Sequence, residues 1–325
     1  MDSKPRSAQL NHPSPRQTLS YLRNLFDERG IRPKNKLGQN FLIDLNLIDL
    51  LVRSAELDRS DFVLEIGCGT GSLTTRLAEQ AGLVLGVEVD AAFFALAQEM
   101  VQGRDNVVLL HADVLRNKNE LNPTVLAKVD ELWRQGRCAR MKLVSNLPYA
   151  VATPVIANFL LTDLPLERMT VTVQWEIAER LMAAPGTKDY GALAVLVQSL
   201  ADVRLIRKLP PSVFWPKPEV ASAMVFIRPV PAKRERVGQP KRLRHFLRAL
   251  YAHRRKNLRG VLASLYASRL SKEEVDRQLA ELGIDGSVRA EDLTIEQHLR
   301  LCQAFAPPEE ESASSPDTSD SSTFE

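Results

Sequence analysis

Three cysteines in 325 residues, Cys68, Cys138 and Cys302, are too few and too far apart for a disulfide framework or a zinc cluster. The five histidines, His12, His111, His245, His253 and His298, show no ligand spacing, so no metal site is expected. No run of about 18 apolar residues is present, and the first residues lack the apolar centre of a signal peptide. A cytoplasmic protein is the expectation. Basic residues are absent from the stretch Glu309 to Glu325, which holds six acids and six serines. Such a tail buries too little apolar surface to fold alone, and the rest of the chain is correspondingly more basic, +9 where the whole is +3.

What is present is otherwise ordinary for a globular protein, 44% hydrophobic and 26% charged. Its length exceeds one average domain. Residues 1–30 are polar, contain Pro5, Pro13 and Pro15, and read as a flexible arm in which Thr18 to Arg29 can form a short helix. Residues 31–230 alternate β-branched runs with helical stretches, the pattern of a parallel sheet with crossover helices. After Pro229-Val230-Pro231 the strands stop, and helical periodicity marks Arg242–Tyr251, Asn257–Ala267, Lys272–Leu282 and Thr294–Phe305. A helical unit over 231–308 and a disordered tail over 309–325 complete the expected organisation. Between Lys233 and Arg259 eleven Lys or Arg residues face one acid, Glu235, a block dense enough for a phosphate-binding helix face.

Within the central segment the strand Phe62–Ile66 runs into Gly67-Cys68-Gly69-Thr70-Gly71, and helical residues follow from Ser72 to Gln80. Glycines at a strand-to-helix turn accept positive φ and let a ligand approach the backbone, while the helix start supplies free N–H groups. The next strand, Leu83–Val89, carries Glu88, 21 residues after Gly67, where a carboxylate can accept both hydroxyl protons of a ribose. NAD and S-adenosylmethionine remain as ligands. A dinucleotide fingerprint reads G-x-G-x-x-G, whereas here Gly71 arrives one position early, and Glu65 makes the turn Glu-x-Gly-x-Gly, typical of class I methyltransferases.

A third strand, Asn106–His111, delivers Asp113, whose ionised carboxylate can accept from an adenine amine. After the run Lys142–Ser145 comes Asn146-Leu147-Pro148-Tyr149. The N6 lone pair of adenine is delocalised into its ring, so methylating it requires a more tetrahedral nitrogen aimed at the methyl group. The side-chain oxygen of Asn146 and the carbonyl of Pro148 can each accept one N6 proton, and Tyr149 can stack on a base turned out of its helix. Alone, the tetrapeptide reads as a strand terminator; fourth in the series Gly67, Glu88, Asp113, Asn146 it reads as a site.

These motifs together resemble the ribosomal RNA adenine N6,N6-dimethyltransferase family, in particular its bacterial small-subunit branch. Lys36-Leu37-Gly38-Gln39-Asn40-Phe41-Leu42 is similar to the family's first motif, which implies Asn40 and Leu42 as S-adenosylmethionine contacts beside Gly67, Gly69, Glu88, Asp113 and Asn146. Val213 to Ser222 resembles the family's Phe-x-Pro-x-Pro-x-Val-x-Ser pattern, which implies Phe214 on a rigid exposed loop, closing a stacking clamp with Tyr149. Tyr251 to Arg259 resembles the start of a helix that faces RNA in the family, which implies phosphate contacts from Arg254, Arg255, Lys256 and Arg259.

The resemblance implies a class I (Rossmann-like) α/β fold, a seven-stranded mostly parallel sheet with one antiparallel strand, followed by a small all-helical domain. It further implies a monomer that dimethylates two neighbouring adenines near the 3′ end of small-subunit (16S) ribosomal RNA, on the RNA or on an immature small subunit. The rivals are a large-subunit adenine N6-methyltransferase of the antibiotic-resistance type, a DNA adenine methyltransferase, and a non-catalytic RNA-binding assembly factor. Two departures stand out: the long stretch Asn117 to Arg140, and Ala150-Val151-Ala152 where the family usually has a more polar sequence.

Overall fold

The computed structural model describes residues 18–34 and 37–306. The arm before Thr18, Lys36 of the first motif and the acidic tail lie outside the described residues.

Helix α1 (Leu19–Arg29) is followed by the short strand β1 (Phe41–Leu42) and by α2 (Leu45–Ser54), which Asp44 caps. An alternating succession then builds the sheet: β2 (Asp61–Ile66), α3 (Ser72–Gln80), β3 (Leu83–Glu88), α4 (Ala91–Met100) and β4 (Val107–His111). A hairpin of β5 (Leu115–Asn117) and β6 (Glu120–Leu121) leads into α5 (Pro123–Trp133), then β7 (Arg140–Asn146), α6 (Ala152–Leu161), β8 (Leu166–Gln174), α7 (Trp175–Met182), α8 (Ala192–Leu200) and β9 (Ala201–Leu209). After β10 (Phe214–Trp215) and β11 (Ser222–Pro229) come only helices: α9 (Pro231–Val237), α10 (Pro240–Tyr251), α11 (Leu258–Leu265), α12 (Lys272–Glu281) and α13 (Ile295–Phe305).

The seven strands lie in the order β4-β3-β2-β7-β8-β11-β9, parallel except for β11, which runs antiparallel to both of its neighbours. Burial explains the composition. Strands β2 and β3 are covered on both faces and are buried at every position, so they read as continuous apolar runs with no alternation. The chain leaves β2 toward β3 and β4 on one side and returns to β7 and β8 on the other. That reversal opens a crevice at the carboxyl ends of β2 and β7, the place where open α/β sheets bind ligands. The β2–β7 ladder ends at Leu64 and Leu143, and beyond it the Ser145 hydroxyl donates to the Ile66 carbonyl at 2.6 Å, holding the parting strands together.

Two expectations about organisation change. Helix α1, assigned to a flexible arm, packs against the sheet domain: Leu22 and Phe26 are buried, and Phe26 meets Phe41, Phe93 and Trp215 at 5.2–5.5 Å. Its apolar partners come from three distant segments, so the local sequence carries no sign of them. The C-terminal helices, expected as a separate unit, share one continuous apolar core with α6 and α8, through Leu243, Leu247 and Leu299 among others.

The basic block does much of the docking. Arg244 is buried and donates to the Asn119 carbonyl and to Asn158 Oδ1, each at 2.8 Å, while Arg248 reaches Asn119 Oδ1 at 3.1 Å. Lys233 holds Asp202 and two carbonyls, and Arg234 holds Asp163 and the Leu160 carbonyl. A phosphate-binding helix face is therefore not what most of this block forms. Charge density alone does not distinguish cations facing solvent from cations facing another element's carbonyls. The long stretch from Asn117 has a role in this docking, since its hairpin receives two of these arginines.

Candidate active site and RNA interface

The crevice holds a cavity of about 190 Å³, lined among others by Asn40, Gly67, Gly69, Glu88, Asp113, Asn146 and Pro148. Residues spread over more than a hundred positions are thus brought together by the ends of four parallel strands and the segment before β1. Gly67 takes φ +74°, and a Cβ on it would stand 2.7 Å from Pro148 Cγ. This close approach requires glycine there, and it shows how the turn after β2 seats the turn after β7.

Glu88 at the end of β3 accepts three backbone N–H groups, from Gly69 at 2.8 Å, Val89 at 3.0 Å and Asp90 at 2.9 Å. Burial raises its carboxyl above the ordinary value, and those N–H groups oppose the rise. A carboxylate offers about four acceptor sites, which leaves one for a ligand hydroxyl, whereas the sequence leads to the expectation that Glu88 accepts from both ribose hydroxyls. Asp113 uses Oδ1 to accept from the Leu115 N–H at 2.9 Å, an Asx turn that aims the side chain.

Asn146 is held from two directions. Its Nδ2 donates to the Asn40 carbonyl at 2.8 Å, and its Oδ1 accepts from the Thr172 hydroxyl. These bonds set which end of the amide faces which way, and one Oδ1 lone pair remains. The Pro148 carbonyl accepts from the Val151 N–H at 3.1 Å and likewise keeps one acceptor position. Thr172 is fully buried on β8, in register with Asn146. Nothing in the sequence marks it, because a threonine in a strand is ordinary there.

Leu42, Tyr149 and Phe214 sit differently from the other expected site residues. Leu42 does not line this cavity; it faces a smaller one of about 50 Å³ shared with the glycine turn and Glu65. Phe214 is only 2% exposed, in a core cluster with Leu42, Leu47 and Met224, so the exposed-loop expectation fails at this residue. The loop folds back because β10 pairs with β1, setting Phe214 opposite Leu42. The Tyr149 and Phe214 rings stand edge to face, with centroids 6.5 Å apart and planes at 69°, whereas two rings sandwiching a base lie parallel. The parallel clamp is absent from this conformation. Tyr149 is instead pinned through its hydroxyl to that of the buried Ser222, and burial raises its pKa.

Glu65 tests whether a cationic ligand fits. Its carboxyl is buried, Oε2 has no hydrogen-bond partner among the described residues, and burial pushes its pKa up to about 8. Beneath the glycine turn this carboxyl is mostly protonated by itself, and a ligand carrying positive charge nearby would favour its ionised form. Together with the ribose-type acceptor Glu88 and the adenine-type acceptor Asp113, it matches S-adenosylmethionine.

A larger open groove of about 890 Å³ runs between the α7–α8 connection and the α10–α11 turn, and Arg180, Lys188, Arg254, Arg255 and Lys256 line it together with the acids Glu176, Glu179 and Asp189. Arg180 pairs with Glu176, and Arg254 with Glu291 at 3.3 Å. Arg254 to Lys256 lie on that turn, since α11 begins only at Leu258 with Asn257 as its cap. Arg259 differs from the expectation: its guanidinium is engaged by both Asp276 oxygens, at 2.5 and 2.6 Å, and it does not line the groove. Its mate lies 17 residues on, across a helix pair that sequence spacing does not reveal.

Fold and cavity together define an S-adenosylmethionine-dependent class I methyltransferase. The family model for ribosomal RNA adenine dimethylases matches residues 30–306. Relatives named ribosomal RNA small subunit methyltransferase A include one from Lachnoclostridium phytofermentans, 37% identical over 88% of this chain and 95% of its own length. Another, from Moorella thermoacetica, is 36% identical over 90% and 98%. Among solved structures, a dimethyladenosine transferase from Plasmodium falciparum shares the fold, with TM-score 0.64 and 21% identity over 81% of this chain and 96% of its own. The 23S rRNA methyltransferase ErmE superposes with TM-score 0.54 at 25% identity, over 82% and 99%. The chain belongs to the ribosomal RNA adenine dimethylase family.

Proposed function

We propose that this protein transfers methyl groups from S-adenosylmethionine to N6 of adenines in small-subunit ribosomal RNA, two on each of two neighbouring adenines near the 3′ end. Its substrate is the RNA within an immature small subunit. The observation that carries the chemistry is the fixed amide of Asn146: with Nδ2 on the Asn40 carbonyl and one Oδ1 lone pair on Thr172, one acceptor is left over on a residue that lines the cavity together with Pro148. When bound, S-adenosylmethionine supplies a methyl group on a cationic sulfonium. In the first transfer the two acceptors would each accept a hydrogen bond from one N6–H and turn the nitrogen lone pair toward that methyl, and in the second the one remaining N6–H would be held by one of them. Each transfer would leave a neutral thioether and an alkylated amine acidic enough to lose its proton to solvent, so that acceleration comes from orientation and fixed dipoles. Tyr149 stacks on the turned-out base, its ring held by Ser222. Arg254, Arg255 and Lys256 hold phosphates without reading sequence, which leaves target choice to RNA shape.

The branch follows from the names of the relatives, and mass spectrometry of ribosomal RNA tests it. Cells lacking the protein are expected to lose dimethyladenosine from small-subunit RNA and to regain it when the chain is restored. Loss from large-subunit RNA would assign the antibiotic-resistance type of target instead. No change in either RNA would overturn the enzymatic reading.

Thr172 provides a finer test. Thr172→Val keeps the shape and removes the donor, so Asn146 loses one of its two tethers. Methyl transfer is expected to fall about 10- to 100-fold with S-adenosylmethionine affinity unchanged, and Thr172→Ser to restore most of it. Equal rates in the valine and wild-type proteins would show that Asn40 alone orients the amide.

A further inference from the structure

Strand β9 forms the free edge of the sheet, and its surface is cationic. From Val203 to Lys217 the chain has Arg204, Arg207, Lys208 and Lys217 and no acid. Arg204, Arg207 and Lys208 are all exposed. The neighbouring carboxylates are already taken, Glu56 by Arg168 and Asp202 by Arg228 and Lys233. The three β9 cations therefore have no ion-pair partner among the described residues.

Register ties this edge to the active site. Asn146 is level with Thr172, Thr172 with Met224, and Met224 with Arg207, one row across β7, β8, β11 and β9. Three strand spacings put the Arg207 backbone roughly 14 Å from that of Asn146. A register shift between Met224 and Val225 adds one residue to β9, so that Arg204 and Arg207 share a face with Phe226 while Lys208 takes the other. There the Lys208 ammonium lies 3.8 Å from the centroid of the half-buried Trp175 ring. Arg204 stands 5.1 Å over the Phe226 ring. Cations beside aromatic planes form a surface that a nucleic-acid strand can follow by its phosphates and bases.

We infer that the β9 edge is a second RNA-docking surface, which holds the strand flanking the target adenine. This rests on the proposed methylation of ribosomal RNA. The other reason for cations on an edge strand is protection against edge-to-edge association, which requires no RNA contact.

The test compares Arg204→Gln/Arg207→Gln/Lys208→Gln with a control of equal charge loss on another element, Lys128→Gln/Arg134→Gln/Arg137→Gln. Binding to small ribosomal subunits lacking the methyl groups is measured across salt concentrations, together with methyl-transfer kinetics. Neutralising β9 is expected to reduce the log–log salt slope by about 2, since each single-strand phosphate that a cation neutralises contributes about 0.7. KM for the subunit should rise with kcat and S-adenosylmethionine affinity unchanged, and the control should behave as wild type. A slope unchanged from wild type, with or without aggregation, would overturn the docking role. Equal losses in variant and control would reduce it to net charge. Failure of the wild-type protein to methylate the subunits would instead strike the proposed function, while the salt slopes would still report on binding.

Discussion

Asn146→Ala is expected to nearly abolish methyl transfer while leaving S-adenosylmethionine binding measurable. The alanine removes the acceptor proposed to hold N6 and both tethers, to Asn40 and Thr172. Loss of one fixed dipole of this kind costs about 100- to 1,000-fold in rate. Stability should change less, by about 1–3 kcal/mol, chiefly from the buried Thr172 hydroxyl left without its acceptor. Cofactor titration and single-turnover transfer separate the two effects. Transfer at the wild-type rate would sink the orienting role. An equal loss of cofactor binding and transfer would make Asn146 a binding residue only.

The second large effect is expected at Gly67→Ala, through packing alone. The residue has φ +74°, and its new Cβ would meet Pro148 Cγ at 2.7 Å and Cδ at 2.9 Å. Left-handed backbone costs an alanine about 1–2 kcal/mol, and overpacking typically adds about 1–3 kcal/mol. Relief requires the Pro148 turn to move, which carries its carbonyl away from N6 and distorts the glycine turn. Cofactor affinity and methyl transfer are therefore expected to fall together, transfer by more than about 100-fold. Gly103→Ala is the control: it has φ +80° with no atom within 4 Å of the added Cβ, so it carries the strain without the clash. Its activity should match wild type. If Gly67→Ala also keeps full activity, the contact between the two turns is not what positions Pro148.

The parts of the fold legible in sequence were those made by local chemistry. Helix α3 spans Ser72–Gln80 as expected, because a glycine turn starts it and an apolar stripe continues it. Helices α10 to α13 lie within two residues of their expected limits, with α12 and α13 opened by capping boxes at Ser271 and Thr294. The placement of Gly67, Glu88, Asp113 and Asn146 at strand ends around one cavity was legible for a related reason. Each sits at the carboxyl end of a parallel strand, and strand ends can be counted along the chain.

What was misread depended on partners far away in sequence. Helix α1 looked like an arm because Phe41, Phe93 and Trp215 bury it. Phe214 looked exposed because two prolines follow it closely, whereas pairing with β1 folds it into the core. Arg244 and Arg259 looked like phosphate ligands, yet one is spent on Asn119 and Asn158 and the other on Asp276.

By itself, then, the sequence determined four parallel strands, the helices after them and at the C-terminal end, the carboxylates and the amide at the strand ends, and with the family resemblance the class of methyl donor and acceptor. Those features are set by residue identity and spacing along one chain direction. Only the tertiary structure decided which bonds Asn146 makes, which cations of a basic run are spent on other elements, and that Arg207 on β9 is level with Asn146. Hydrogen bonds, ion pairs and sheet register are made between residues tens of positions apart, and their geometry exists only once the chain is folded.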